Sequence, residues 1–141
     1  MSTNQITAPG FLVVSEHMAR NPIARAIQRQ RIERSTRDFR IRLHMLGDGE
    51  VVASDAIASA KVLAVALGVL QMQGAEGCTA WRLMRGGTSA LQQLSERGFR
   101  WRTADAVAVD VALEHAAATV TTAPAELVRR AWIDSEQATA A

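Results

Sequence analysis

The chain has no tyrosine, a single cysteine, a single lysine and three prolines among its 141 residues, and its six aromatic side chains are three Trp and three Phe. Each scarcity removes an option. Cys78, being alone, forms no internal disulfide, and the simple expectation is a reduced, cytoplasmic setting. Few aromatics and few turn-forming prolines argue against an all-β sandwich or barrel. The longest apolar stretch, Ala56–Leu70, is short for a membrane span and carries Lys61, so it predicts a buried helix and no membrane crossing. The first ten residues, MSTNQITAPG, show no basic segment followed by an apolar core, and no secretory signal is expected.

Motifs of catalysis are missing as well. His17, His44 and His115 stand at no metal-ligand spacing from one another or from Cys78. Glu16-His17 and Glu114-His115 are sequence neighbours, which point about 100° apart on a helix. No nucleophile elbow, phosphate loop or dinucleotide fingerprint occurs. The expectation is a protein that is not an enzyme, with no catalytic residue, no metal and no cofactor.

What the chain does have is alanine and regular helix punctuation. The length fits one domain, and 48% of the residues are apolar, enough for a core without covalent staples. The pattern predicts a compact, mainly α bundle of five or six helices over residues 11–136, with a tail at 1–10 and a frayed end at 137–141. Asn21-Pro22 is a strong helix start. From there Ile32, Thr36, Phe39, Leu43 and Leu46 recur at steps of three and four, the signature of one helical face. Phe39, Ile41, Leu43 and Met45 also alternate with Arg40, Arg42 and His44. With the Asp48-Gly49 turn they allow a short β-hairpin near residues 38–53 instead. The helix to Leu46 is favoured, because the second strand would be so short.

Ser54-Asp55 predicts the cap of a helix through Met72, apolar nearly all round and therefore the central one. A short helix, TAWRLMR, is expected to break at Gly86-Gly87 and to restart at Thr88 or Ser89. Gly98 should stop it. Thr103 should cap an alanine-rich helix with Asp105 in its first turn, and a last helix should run from Pro124 to about Ser135.

The charge is unevenly placed. Residues 20–46 carry eight arginines against two acids, a net +6, in a chain whose total is +2. The body beyond residue 46 is mildly acidic. Such asymmetry speaks of partners and association. On a helix Arg25, Arg29, Arg31, Arg34, Arg40 and Arg42 cover most of the girth, so only a narrow apolar strip can enter the core. These six predict a surface for the phosphate backbone of a nucleic acid, without base readout. The same helix also suits an acidic protein partner or a second copy of the chain. The alternative is a solvated face that pairs with Asp105, Asp110, Glu114 and Glu126 of the body.

Two further stretches invite a nucleic-acid reading. In GFRWR, Arg100, Trp101 and Arg102 interleave cations with an aromatic ring, the composition of a base-stacking platform. The competing reading buries Phe99 and Trp101 while the arginines reach solvent. A helix-turn-helix across Gly98 is disfavoured, since its second helix would offer Asp105, Asp110 and Glu114 where base edges need cations and amides. RGGTSA suggests an anion held on helix N-terminal amides, against a plain hinge between helices.

The residues Arg85, Gly86, Gly87, Ser89, Leu91, Arg97, Gly98, Trp101, Arg102 and Asp105 form a pattern, RGG-x-SAL followed by RGF-x-WR-x-x-DA. It resembles small uncharacterised accessory proteins of proteobacterial phages and plasmids, over about a quarter of the chain. The resemblance implies a mobile-element context and transfers no site residues.

Overall fold

A computed structural model describes residues 22–46 and 49–140. The expectations for the tail at 1–10, the segment 11–20, the Asn21 cap and the last residue lie outside that set. Among the described residues there are five helices: α1 (Pro22–Leu46), α2 (Ala53–Met72), α3 (Thr79–Glu96), α4 (Ala106–Thr122) and α5 (Ala125–Ala140), with a 3-10 turn at Thr103–Asp105 leading into α4. They pack into one all-α bundle with a single core.

The ambiguity at residues 38–46 resolves as helix. α1 continues to Leu46, and the hairpin does not form. The reason is burial at helical spacing: Thr36, Phe39 and Leu43 are enclosed together, which a strand with period two could not do. The extended residues after the turn find a different partner. Val51 N–H donates to Phe99 O at 2.9 Å and Trp101 N–H to Gly49 O at 2.7 Å, giving one isolated antiparallel bridge between Glu50 and Arg100. No β-strand occurs among the described residues.

α2 starts slightly earlier than its sequence cap suggests. Val52 occupies the cap position with no side-chain hydrogen bond, and Asp55 lies in the first turn, beside the positive end of the helix dipole. Val62, Leu63, Val65, Ala66 and Val69 are shut away in the core. By length and composition α2 alone, among the described residues, is apolar enough to cross a membrane, a property that a core helix shares. The central role expected of α2 is divided with α4. α2 packs on α3, α4 and α5, whereas α4 packs on α1, α2 and α3.

The predicted break at Gly86-Gly87 is absent: α3 runs unbroken through both glycines. Gly87 is buried where α3 crosses α4, and a Cβ there would lie 2.2 Å from the Cβ of Ala112. The glycine permits a close crossing of two helices and ends neither. Gly98 does end α3, at φ 67°, with Phe99 N–H returning to Leu94 O at 2.9 Å. The last helix extends beyond Ser135, to Ala140.

Candidate interaction surface

α1 is the element that sets the surface. Among the described residues its extensive packing is on α4, where Thr36, Phe39 and Leu43 are buried. Between Ile23 and Arg34 every side chain that is described is exposed. A helix of 25 residues is about 37 Å long, so one end is anchored and the other is turned toward solvent.

The anchored end is held by charge as well as by the apolar strip. Arg40 Nε donates to Asp110 Oδ1, and Arg40 Nη2 lies 3.5 Å from Glu114 Oε2. His44 Nε2 lies 3.1 Å from Asp110 Oδ2. Asp110 and Glu114 are one turn apart on α4, which is why one arginine reaches both. Burial pushes the Asp110 carboxyl upward, but the hydrogen bonds from Arg40 and His44 and the charges of both outweigh it, and the net shift is below the ordinary carboxylate value. Arg42 Nη2 is 3.5 Å from Asp55 Oδ2, and its guanidinium lies 6.0 Å from the Phe39 ring centroid. Two of the arginines assigned to ligand binding, Arg40 and Arg42, are therefore engaged by carboxylates of the body. The acids of α4, which argued against a recognition helix, serve α1 instead.

Arg31, Arg34 and Arg37 behave differently. All three are exposed, and among the described residues no carboxylate lies within ion-pair distance of them. The side chains of Arg25 and Arg29 lie outside the described set. At 100° per residue Arg34 points directly away from the buried strip. It does not stand alone there. Ile23, Ile27, Ile41 and Met45 fall within about 40° of one another on that same outer side, and they are 73%, 46%, 50% and 81% exposed. The outer face of α1 is thus apolar at both ends and cationic in the middle. These four lie outside both the arginine set and the buried strip that the sequence singles out. The signal is present in the sequence as two i, i+4 apolar pairs set fourteen residues apart, close to a whole number of helical turns.

The second arginine group is less open than its composition suggests. Trp101 is 1% exposed, so its ring presents no face to a base, and its Nε1 has no hydrogen-bond partner. Arg97 is fixed by Asp105 Oδ2 at 3.1 Å, while Arg100 and Arg102 stay exposed around an open cleft beside Trp101. The bridge sets Glu50 directly across from Arg100. The RGGTSA amides lie inside the continuous α3 and are not a helix start. Cys78 is exposed, and its Sγ accepts from Trp81 N–H at the start of α3. No group of three metal-ligating side chains occurs among the described residues.

No protein-family model, no curated protein and no solved structure matches the chain.

Proposed function

We propose that the protein is a protein–protein interaction module, an adaptor, inhibitor or oligomeric part of a mobile element, which docks its partner along the outer face of α1. The observation that carries this reading is the set of four large apolar side chains in line with Arg34. Phosphates gain nothing from exposed isoleucines, whereas a protein surface does, because burying an apolar pair at each end of the helix stabilises a protein contact. The acids Glu33 and Asp38 on the same exposed helix also dilute its attraction for a polyanion. The resemblance of residues 85–105 to small phage and plasmid proteins supplies the context, and the cytoplasm is the corresponding place.

The second reading, a grip on nucleic-acid backbone without base readout, is favoured by one observation: Arg31, Arg34 and Arg37 are exposed and unmatched by carboxylates among the described residues. Arg25, Arg29, Arg100 and Arg102 would add to it, and Arg40 and Arg42 would have to leave their carboxylates.

One pair of measurements separates the two. Duplex DNA is titrated at two salt concentrations with the wild type, with Arg31, Arg34 and Arg37 changed to Glu, and with Ile27→Asp/Ile41→Asp. A photo-crosslinking side chain is then placed at position 41, with position 96 as control. The interaction module gives protein adducts at 41 and not at 96, and no salt-steep duplex binding. Duplex binding that falls steeply with salt, is lost in the arginine variant and survives in the isoleucine variant would reverse the conclusion.

A further inference from the structure

The outer face of α1 is symmetric about one residue. Ile23 and Met45 stand eleven residues to either side of Arg34, Ile27 and Ile41 seven, Gln30 and Asp38 four, Arg31 and Arg37 three. All of them are exposed, and they span the side of the helix opposite Thr36 and Leu43. A partner unrelated to this chain would have no reason to present a mirror-ordered surface. A second copy of the same helix, laid antiparallel, matches it at every level.

We infer that the outer face of α1 pairs with the same face of a second copy, the two helices running antiparallel across a two-fold axis at Arg34. This rests on the docking reading above and names its occupant. Ile23 then meets Met45 of the second copy, and Ile27 meets Ile41, twice each by symmetry. The charges agree with this direction. In an antiparallel pair each flank of a helix faces the same flank of its copy. Arg31 and Asp38 share one flank, so Arg31 faces Asp38 of the second copy. On the other flank Arg37 faces the Gln30 amide oxygen. A parallel pair brings opposite flanks together and sets Asp38 near Arg37 of the copy, so the charges suit both directions and the mirror order about Arg34 is what selects the antiparallel one. The four apolar side chains, 46–81% exposed, offer at most on the order of 1,000 Å² of apolar surface between two copies, the lower end for a specific interface and suited to a reversible one. The contact line from residue 23 to 45 is about 33 Å long.

Arg34 on the axis faces itself, the one contact that repels. The polar middle of the seam, from Gln30 to Asp38, weakens the helix pair while fixing its register, and the two apolar ends supply the attraction.

The test uses the full chain with Cys78→Ser, a change that keeps a capping oxygen at the start of α3. Sedimentation over a concentration series is expected to show a monomer–dimer equilibrium. Ile27→Asp and Ile41→Asp should each yield monomer with unchanged helix content, since both positions are exposed. Arg34→Leu should tighten the pair by about tenfold or more. Arg34→Cys should oxidise readily to a disulfide-linked dimer, whereas Ile27→Cys should crosslink only when mixed with Ile41→Cys. A dimer that survives both aspartate variants, or that gains a disulfide from Ile27→Cys alone, overturns the arrangement. A wild type that remains monomeric together with Arg34→Leu also overturns it. If position 41 still gives protein adducts in that case, the docking reading stands with a different partner; if it gives none, both fall.

Discussion

Gly87 and Ala112 meet where α3 crosses α4, with only 2.2 Å between the Ala112 Cβ and the place where a Cβ on residue 87 would lie. Real Cβ atoms do not approach so closely, so any side chain at 87 must push the two helices apart. Ala108 O at 3.5 Å and Leu63 Cδ1 at 3.6 Å close off the sideways escape. Gly87→Ala is expected to destabilise the fold by about 1–3 kcal/mol despite the better helix propensity of alanine. Gly86 is exposed, with nothing within 4 Å of its missing Cβ. Gly86→Ala should therefore stabilise by about 0.5–1 kcal/mol. Urea denaturation of the two variants checks the opposite signs, and a gain from both would mean that the crossing is looser than described.

Asp110 links the basic helix to the body, and its folded-state pKa lies below that of the unfolded chain. A group with a depressed folded pKa contributes stability that is present above its unfolded pKa and disappears as the pH falls through the folded one. The wild type should thus lose stability as the pH drops below about 4, the ordinary aspartate range. Asp110→Asn should cost about 1–2 kcal/mol at neutral pH and flatten that acid limb. Thermal melts between pH 3 and pH 7 show this directly. An unchanged acid limb in the variant would locate the acid sensitivity elsewhere.

Much of the bundle is legible because its cues are local. Pro22 opens α1, Gly98 closes α3, and the alanine-rich run from Ala106 overrides the alternating valines that suggest a strand. The glycine pair is misread for the opposite reason: local rules treat Gly86-Gly87 as a breaker, while the need for Gly87 comes from Ala112, twenty-five residues away. Residues 49–51 illustrate the same limit, since their partners lie at 99–101 and not in the adjoining segment. On the surface, the arginines of α1 are legible as a group, but which of them are spent on Asp55, Asp110 and Glu114 depends on how α1 lies against α4 and α2.

Phe99 follows Gly98 with φ 65°, so two successive residues adopt the left-handed backbone and only the first is a glycine. For an L side chain that conformation costs roughly 1–2 kcal/mol. Phe99 repays it by packing against the core. Removing the ring in two ways separates the effects. Phe99→Ala loses the packing and keeps the backbone cost, while Phe99→Gly loses both. The glycine variant should be the more stable of the two by about 1 kcal/mol, reversing the usual order of alanine over glycine. Denaturant midpoints of the pair test it, and alanine above glycine would show that the turn relaxes when the ring is gone.

Lys61 interrupts the apolar run of α2, and the bundle answers it from α5. Its Nζ lies 3.7 Å from Glu136 Oε1 and 4.8 Å from the Trp132 ring centroid, with both charged side chains mostly covered. Glu136 Oε1 is shut off from solvent and accepts no hydrogen bond, so Lys61 is what compensates its charge. Breaking such a pair from one side leaves a covered charge unmatched, whereas replacing both partners by apolar groups of similar size can be nearly neutral. Lys61→Met alone should cost about 1–3 kcal/mol. The double variant Lys61→Met/Glu136→Leu should recover most of that loss, through the matched side chains and the contact of the new thioether with the Trp132 ring. A double-mutant cycle by denaturation gives the coupling. Additive losses would mean that Glu136 turns to solvent once Lys61 is removed, and that the pair contributes to the α2–α5 contact only through the packing of its methylene stems.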